Sequence, residues 1–409
     1  MFSPTTRTHC LLALSLLAGT LLLASCGGGD SDTVTPPTPS PEPPIAEALP
    51  ATPTGWLRLT PRDTVINGVK VHPTCSRAPG SDPTYHFYAR RGSGAGVMVF
   101  FGGGGACWDS ESCARPTNGS QAQLDPKLFF AEIGDDDPAR YGGVLNASDA
   151  ANPVRDWSMV YVPSCNGDLH TGSKTMQYTH PVTGQPFHIE HRGADNVRVV
   201  TEWMKANFSA PDQLLLLGSS AGGVGAITHY PGMQRAFPRA RTDLLIESGP
   251  TLMPAVFEST YRHNWNMQID PSVWGPQASS TAVADLLKPL ATAYPQYRFA
   301  QAISAADMTL ISYYGRMSHG VQTPITADTC SAWVDGMSAQ LLSNQSASNL
   351  RTYKLAGTQH SLLGWPFTDA TAPVARWMGE MLSPQPPEQS GWSNITCTDC
   401  DQTAYCPAP

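Results

Sequence analysis

Charge is scarce in this chain. Only 14% of its 409 residues are Asp, Glu, Lys or Arg, and 33 acidic against 25 basic residues leave a formal net charge of -8. No basic cluster stands out, which excludes nucleic acid as a partner, because neutralising a run of phosphates needs clustered Lys and Arg. Long apolar runs are rare too. Residues 11–25, LLALSLLAGTLLLAS, form the conspicuous one, and it falls short of the ~20 residues of a full membrane span. No internal repeat is visible, and no second apolar stretch reads as a transmembrane segment. Gly and Pro, by contrast, are abundant at 36 and 37 residues, as suits a loop-rich exported protein.

The start of the chain reads as an export signal. Arg7 and His9 precede the apolar stretch, which ends in Leu23-Ala24-Ser25-Cys26, a sequence that resembles a bacterial lipobox. The expectation is a lipoprotein signal over 1–26, with Cys26 lipidated and anchoring the protein in the membrane of the cell envelope; the alternative is a plain cleaved signal and a secreted protein. Residues 27–55 hold few apolar side chains until their end and cannot repay the entropy of ordering, so they read as a flexible tether. One folded domain is expected over 56–409. Of ten cysteines, Cys10 leaves with the signal and Cys26 carries the lipid. The remaining eight are Cys75, Cys107, Cys113, Cys165, Cys330, Cys397, Cys400 and Cys406. An even number in an exported chain implies disulfides, but spacing alone fixes none of the pairings. The tail CTDCDQTAYC has no fourth ligand nearby, so no metal is expected there.

Within the domain, apolar runs at Val97–Phe101, Trp157–Val162, Leu214–Leu217, Leu244–Ile246, Phe299–Ile303 and Tyr353–Ala356 read as buried strands. Val197, Val200, Trp203, Met204 and Phe208 fall at helical spacing. Strands alternating with helices predict an α/β fold with a mostly parallel sheet covered on both faces. In such sheets the chemistry gathers beyond the C-terminal strand ends.

After Leu214–Leu217 comes Gly218-Ser219-Ser220-Ala221-Gly222-Gly223, a Gly-X-Ser-X-Gly pattern in a strand–turn–helix setting. That makes Ser220 the candidate nucleophile. A serine hydroxyl needs a base, usually a histidine oriented by a carboxylate. In the order Ser, acid, His, the candidate bases are His360, in a loop after a strand, and His319, after a helix; His360 fits better. The candidate acids are Asp307 and Glu247, with Asp307 favoured by its position just past a strand. Four glycines, Gly102–Gly105, follow Val97–Phe101. Without Cβ atoms, their N–H groups can converge on the oxyanion that forms when an ester is attacked. Gly104, Gly105 and Ala221 are the expected donors. No Gly-Lys-Ser/Thr follows, so a phosphate loop fits less well.

The ordered set of motifs resembles the pectin acetylesterase family, which includes the Notum-type carboxylesterases. The resemblance is carried by Gly103-Gly104-Gly105-Ala106-Cys107, by Val160–Ser173, by His191-Arg192-Gly193, by Gly218–Gly223, by Ala305-Ala306-Asp307 and by His360. It covers roughly Trp56 to Met381. It implies an α/β-hydrolase-like, disulfide-stapled fold and a Ser-His-Asp esterase built on Ser220, His360 and Asp307, with Gly104, Gly105 and Ala221 as oxyanion donors and no metal or organic cofactor. It also implies the pairs Cys75–Cys165 and Cys107–Cys113, with Cys330 reaching a tail cysteine. Ala106 departs from the family's usual tryptophan, Trp108 comes two positions later, and Cys165-Asn166-Gly167-Asp168 departs as well. Trp108 and Asp168 are therefore candidate substrate contacts, with loop packing as the alternative. The expected function is removal of O-acetyl groups from a polysaccharide such as pectin. The alternatives are a carboxylesterase for lipid or polyester substrates and a non-catalytic carbohydrate-binding lipoprotein.

Overall fold

The computed structural model describes residues 44–121, 123–134, 136–398, 400 and 405–408. The expected signal, Cys26 and the expected tether up to residue 43 lie outside these residues. The last part of that tether, residues 44–55, is instead part of the fold. Ala46 and Leu49 are buried. The Leu49 N–H donates to Asn207 Oδ1 at 2.8 Å, and the Trp203 indole N–H donates to the Glu47 carbonyl at 2.9 Å. The few apolar side chains in this stretch suffice to dock it on a helix.

Nine strands form the central sheet. In chain order they are β1 (Leu57–Leu59), β2 (Phe87–Arg90), β3 (Gly96–Phe101), β4 (Ser158–Val162), β5 (Gln213–Ser219), β6 (Arg241–Glu247), β7 (Phe299–Ser304), β8 (Leu350–Leu355) and β9 (Ile395–Thr396). Their spatial order is β1-β2-β4-β3-β5-β6-β7-β8-β9. From β4 to β9 every pairing is parallel; β1 and β2 are antiparallel additions at one edge. The fold is thus an α/β-hydrolase-like, mostly parallel sheet. All six predicted runs are strands, and Leu214–Leu217 is fully buried, as a strand covered on both faces requires.

Flanking helices include α1 (Gly193–Asn207), α2 (Ala221–Ala236), α3 (Met308–His319), α4 (Ala327–Asn344) and α5 (Ala372–Leu382). Register sets the site. Phe101 lies opposite Gly218, Ser219 opposite Glu247, and Glu247 opposite Ala302. The C-terminal ends of β3, β5, β6 and β7 therefore reach one level, and the segments that leave them meet there.

Four disulfides join the described cysteines: Cys75–Cys165, Cys107–Cys113, Cys330–Cys406 and Cys397–Cys400. None of the helices in the described residues is long and apolar enough to cross a membrane.

Candidate active site

Ser220 is the single residue between β5 and α2. Its φ of 52° and ψ of -126° put a side-chain-bearing residue in a strained region. The turn is held by the Ser220 N–H, which donates to the Glu247 carbonyl at 3.0 Å. The turn is so tight that a Cβ on Gly222 would lie 2.0 Å from the Phe101 carbonyl oxygen, and one on Gly218 would lie 2.3 Å from the Gly222 carbonyl oxygen. The small residues of the motif are sterically required.

His360 lies five residues beyond β8, and Asp307 three residues beyond β7. His360 Nε2 is 2.8 Å from Ser220 Oγ, and His360 Nδ1 is 2.9 and 2.8 Å from the two Asp307 carboxylate oxygens. This network fits a ring whose Nδ1–H donates to Asp307 and whose Nε2 accepts from the Ser220 hydroxyl. Asp307 is also the N-cap of α3. Its Oδ1 accepts the N–H groups of Thr309 and Leu310, both at 3.1 Å. Capping and orienting are compatible because the carboxylate has lone pairs enough for both. Burial pulls the His360 pKa down, but the hydrogen bond to Asp307 and the charges of Asp307 and Glu247 outweigh it and leave the ring above its ordinary value. His319, the other candidate base, is exposed at the end of α3.

Glu247, the rival acid, has a different place. It ends β6, fully buried, and its Oε2 accepts the Leu362 N–H at 2.7 Å. Burial pushes its carboxyl above the usual range, against the Ser219 hydroxyl and the Leu362 N–H. Glu247 thus ties down the segment just after His360 and makes no hydrogen bond to the imidazole.

The glycine run passes beside Ser220. A Cβ on Gly103 would lie 3.0 Å from Ser220 Cβ, so Gly103, a member of the run that is not among the expected donors, packs directly on Ser220. Gly105 has φ 70°, and a Cβ there would lie 2.0 Å from the Leu128 carbonyl oxygen. The run is braced by Phe130 N–H to the Gly104 carbonyl at 2.8 Å, Ala106 N–H to the Leu128 carbonyl at 3.0 Å and His170 Nε2–H to the Gly102 carbonyl at 2.9 Å. Among the described residues no protein acceptor takes the N–H of Gly104, Gly105 or Ala221. The Cys107–Cys113 bond closes the loop that follows.

The two candidate substrate contacts are not at the site. Trp108 is fully buried and packs against Tyr261 and Tyr313, with ring centroids 6.2 Å away in each case. Asp168 is buried at the start of α1, where its oxygens accept the N–H groups of Gly193 at 2.8 Å and His170 at 3.1 Å. Trp108 is held by ring packing and Asp168 by backbone N–H groups, and neither borders the cavities at Ser220. One His/Cys cluster of metal-ligand proximity occurs among the described residues, Cys107, Cys113 and His191. Its cysteines are bonded to each other, and the two His191 nitrogens face the Asn166 carbonyl and the Tyr178 hydroxyl.

Two cavities open on Ser220. The larger, about 370 Å³, is lined by Gly103–Gly105, Ser220 and His360 and by the aromatic side chains of Phe100, Phe130, Tyr141, Tyr161, Tyr313 and Trp365. The smaller, about 30 Å³, is an apolar crevice bordered by Ala106, Ala221, Leu252, Met253, Leu310 and Met317. The aromatic lining was not foreseen, since Phe100 and Tyr161 read only as strand interior and Tyr141 and Trp365 lie in loops.

Comparison with known proteins gives a consistent result. The family model for pectinacetylesterases matches residues 64–335, a stretch that includes Ser220 and Asp307 and stops before His360. The chain is 24% identical over 262 residues to pectin acetylesterase 11 of Arabidopsis thaliana, covering 62% of this chain and 63% of that one. It is 28% identical over 141 residues to the palmitoleoyl-protein carboxylesterase Notum of Schmidtea mediterranea, covering 34% of this chain and 24% of that one. The matches thus span less than two thirds of the length of either relative. A solved structure of the Wnt deacylase Notum from Drosophila superposes with a TM-score of 0.49 at 21% identity, covering 71% of this chain and 83% of that one.

Proposed function

This chain belongs to the pectinacetylesterase family, and from that premise we propose that it is an exported serine hydrolase that removes short acyl groups, acetyl first, from a polysaccharide. The observation that carries the reading is the continuous line Ser220 Oγ, His360 Nε2, His360 Nδ1, Asp307, with steps of 2.8 Å, beside N–H groups left free by the glycine loop.

In this reading His360 takes the Ser220 proton as Oγ bonds to the ester carbonyl carbon. The oxyanion that forms is met by the N–H groups of Gly104, Gly105 and Ala221, which need no reorganisation. The C–O bond to the alcohol then breaks, and His360 Nε2 gives the proton to the leaving oxygen. Water attacks the acyl-serine by the same route, with His360 as base, and releases the carboxylic acid and free Ser220. Asp307 keeps the imidazole in the useful tautomer and stabilises its protonated form. The chemistry asks for no metal or organic cofactor.

The disulfides fit an exported protein. Anchoring through a lipid on Cys26 remains part of the proposal, and the mass of the mature N-terminal peptide from native membranes tests it.

The test of the activity is a fluorophosphonate probe with the label mapped by peptide mass. Label on Ser220, lost in Ser220→Ala and strongly reduced in His360→Ala, supports the reading. A folded, disulfide-intact protein that takes no label refutes it and favours a binding role.

A further inference from the structure

Both cavities touch Ser220, so there is room for an ester bound there to place one half in each. They differ in three ways. His360 lines the large cavity and is absent from the border of the small one. The leaving oxygen must take its proton from His360 Nε2, so the alcohol half belongs on the side that His360 faces. Size agrees. A space of about 30 Å³ holds little more than one or two water-sized groups, enough for an acetyl methyl, whereas about 370 Å³ is the scale of a small-molecule site.

The third difference is chemical. Phe100, Tyr161, Tyr141 and Trp365 form a row of rings with successive centroid distances of 5.6, 6.0 and 5.1 Å, running from strand β3 to the surface. Trp365, at its outer end, is 50% exposed, so part of its indole is open to a ligand entering the cavity. The row is held rigidly. Asp136 accepts hydrogen bonds from the hydroxyls of both Tyr141 and Tyr161. The Val144 N–H donates to the Leu363 carbonyl at 2.9 Å, and a Cβ on Gly142 would lie 2.4 Å from the Pro366 nitrogen, so the loop bearing Trp365 is clasped on both sides of it. Among the described residues no Lys, Arg, Asp or Glu lines the cavity. A uronate carboxylate drawn into it would lose water without meeting a cation.

Resting on the roles proposed above for Ser220 and His360, we infer that the crevice takes the acyl group, the aromatic cavity takes the alcohol, and Trp365 is the specificity-determining platform for an uncharged sugar ring. The apolar C–H face of the ring lies on the indole, and its hydroxyls stay toward water. The alcohol preferred is therefore a neutral O-acetylated glycan, in preference to a free galacturonate.

The experiment uses the full-length protein and three probes: acetylated xylan, acetylated polygalacturonate freed of methyl esters, and p-nitrophenyl esters of increasing acyl length. The wild type should release acetate faster from the xylan and should prefer p-nitrophenyl acetate to the octanoate. Trp365→Ala should lower the ratio of kcat/KM on acetylated xylan to kcat/KM on p-nitrophenyl acetate by about tenfold, chiefly through KM, and Trp365→Phe should recover most of it. Three results overturn the inference: preference for the polygalacturonate, preference for the octanoate, or a Trp365→Ala loss equal on polymer and small ester. A wild type inert to every ester and to fluorophosphonate would instead overturn the esterase reading beneath it.

Discussion

At the residue scale the two carboxyl groups near His360 divide the work. Asp307 touches Nδ1, and Glu247 holds the backbone two residues further on. The first predicts a pH effect. Asp307 raises the His360 pKa against the pull of burial. Only the neutral imidazole can accept the serine proton, so activity should fall as pH drops through a folded pKa above the ordinary imidazole value of about 6.5. The linked stability has the opposite sense: it is complete below about 6.5 and is lost as pH rises through the folded pKa. Asp307→Asn should lower kcat by about 10⁴ and move the acid limb of the profile down, measured with p-nitrophenyl acetate from pH 5 to 9. A limb that stays in place would mean that Asp307 only caps α3. Glu247 predicts a split between two variants. Glu247→Gln keeps an acceptor for the Leu362 N–H and should stay close to wild type. Glu247→Leu leaves that buried N–H unmet, which should cost about 1–3 kcal/mol in urea unfolding and slow turnover as the His360 segment loosens. If Gln were as damaging as Leu, the charge of Glu247 would matter more than its hydrogen bond.

At the element scale the parallel core was legible because buried strands announce themselves as unbroken apolar runs. The run Leu214-Leu215-Leu216-Leu217 followed by Gly-X-Ser-X-Gly specified strand, turn and helix together, and β5 and α2 follow it. The edge was not legible. Strand β1 has three residues and β2 carries a terminal Arg, and the separate two-stranded hairpin over 174–179 and 186–191 alternates exposed with buried positions, so none produces a run. Trp108 misled for a related reason. Its neighbours in sequence line the glycine loop, but the turn at Ser110–Cys113 directs it inward, and only three-dimensional packing reveals that. The turn itself supports a steric prediction. Gly222→Ala would drive a methyl into the Phe101 carbonyl oxygen, and relief requires β3 and β5 to separate where they flank Ser220. The variant should unfold at least about 1–3 kcal/mol more easily, and the surviving folded fraction should label poorly with fluorophosphonate. Normal stability with normal labelling would show that the strand ends are softer than their contacts imply.

At the scale of the whole molecule, the disulfides separate stability from function by how much chain they close. Cys75–Cys165 spans 90 residues in sequence and ties the entry to β2 to the segment after β4. Cys107–Cys113 spans only 6 and closes the loop beyond the glycines. Restricting the unfolded chain is worth more for a longer loop, about 4–5 kcal/mol for the first against about 2 kcal/mol for the second. Catalysis should rank them the other way. The short bond sits in the chain directly after the glycine run, where a misplaced N–H costs transition-state binding directly, whereas the long bond reaches the run only through Ser164, the residue before Cys165, which packs against Gly104. Replacing Cys107 and Cys113 together with serine should therefore lower kcat on p-nitrophenyl acetate by tenfold or more, on the order of one lost oxyanion contact, with a modest change in Tm. Replacing Cys75 and Cys165 together should lower Tm by several degrees more while the folded enzyme keeps most of its kcat. Measuring both variants for Tm and for kcat separates the two roles, and a common ranking in both measurements would mean that the glycine loop owes its shape to the global fold, with its own staple adding little.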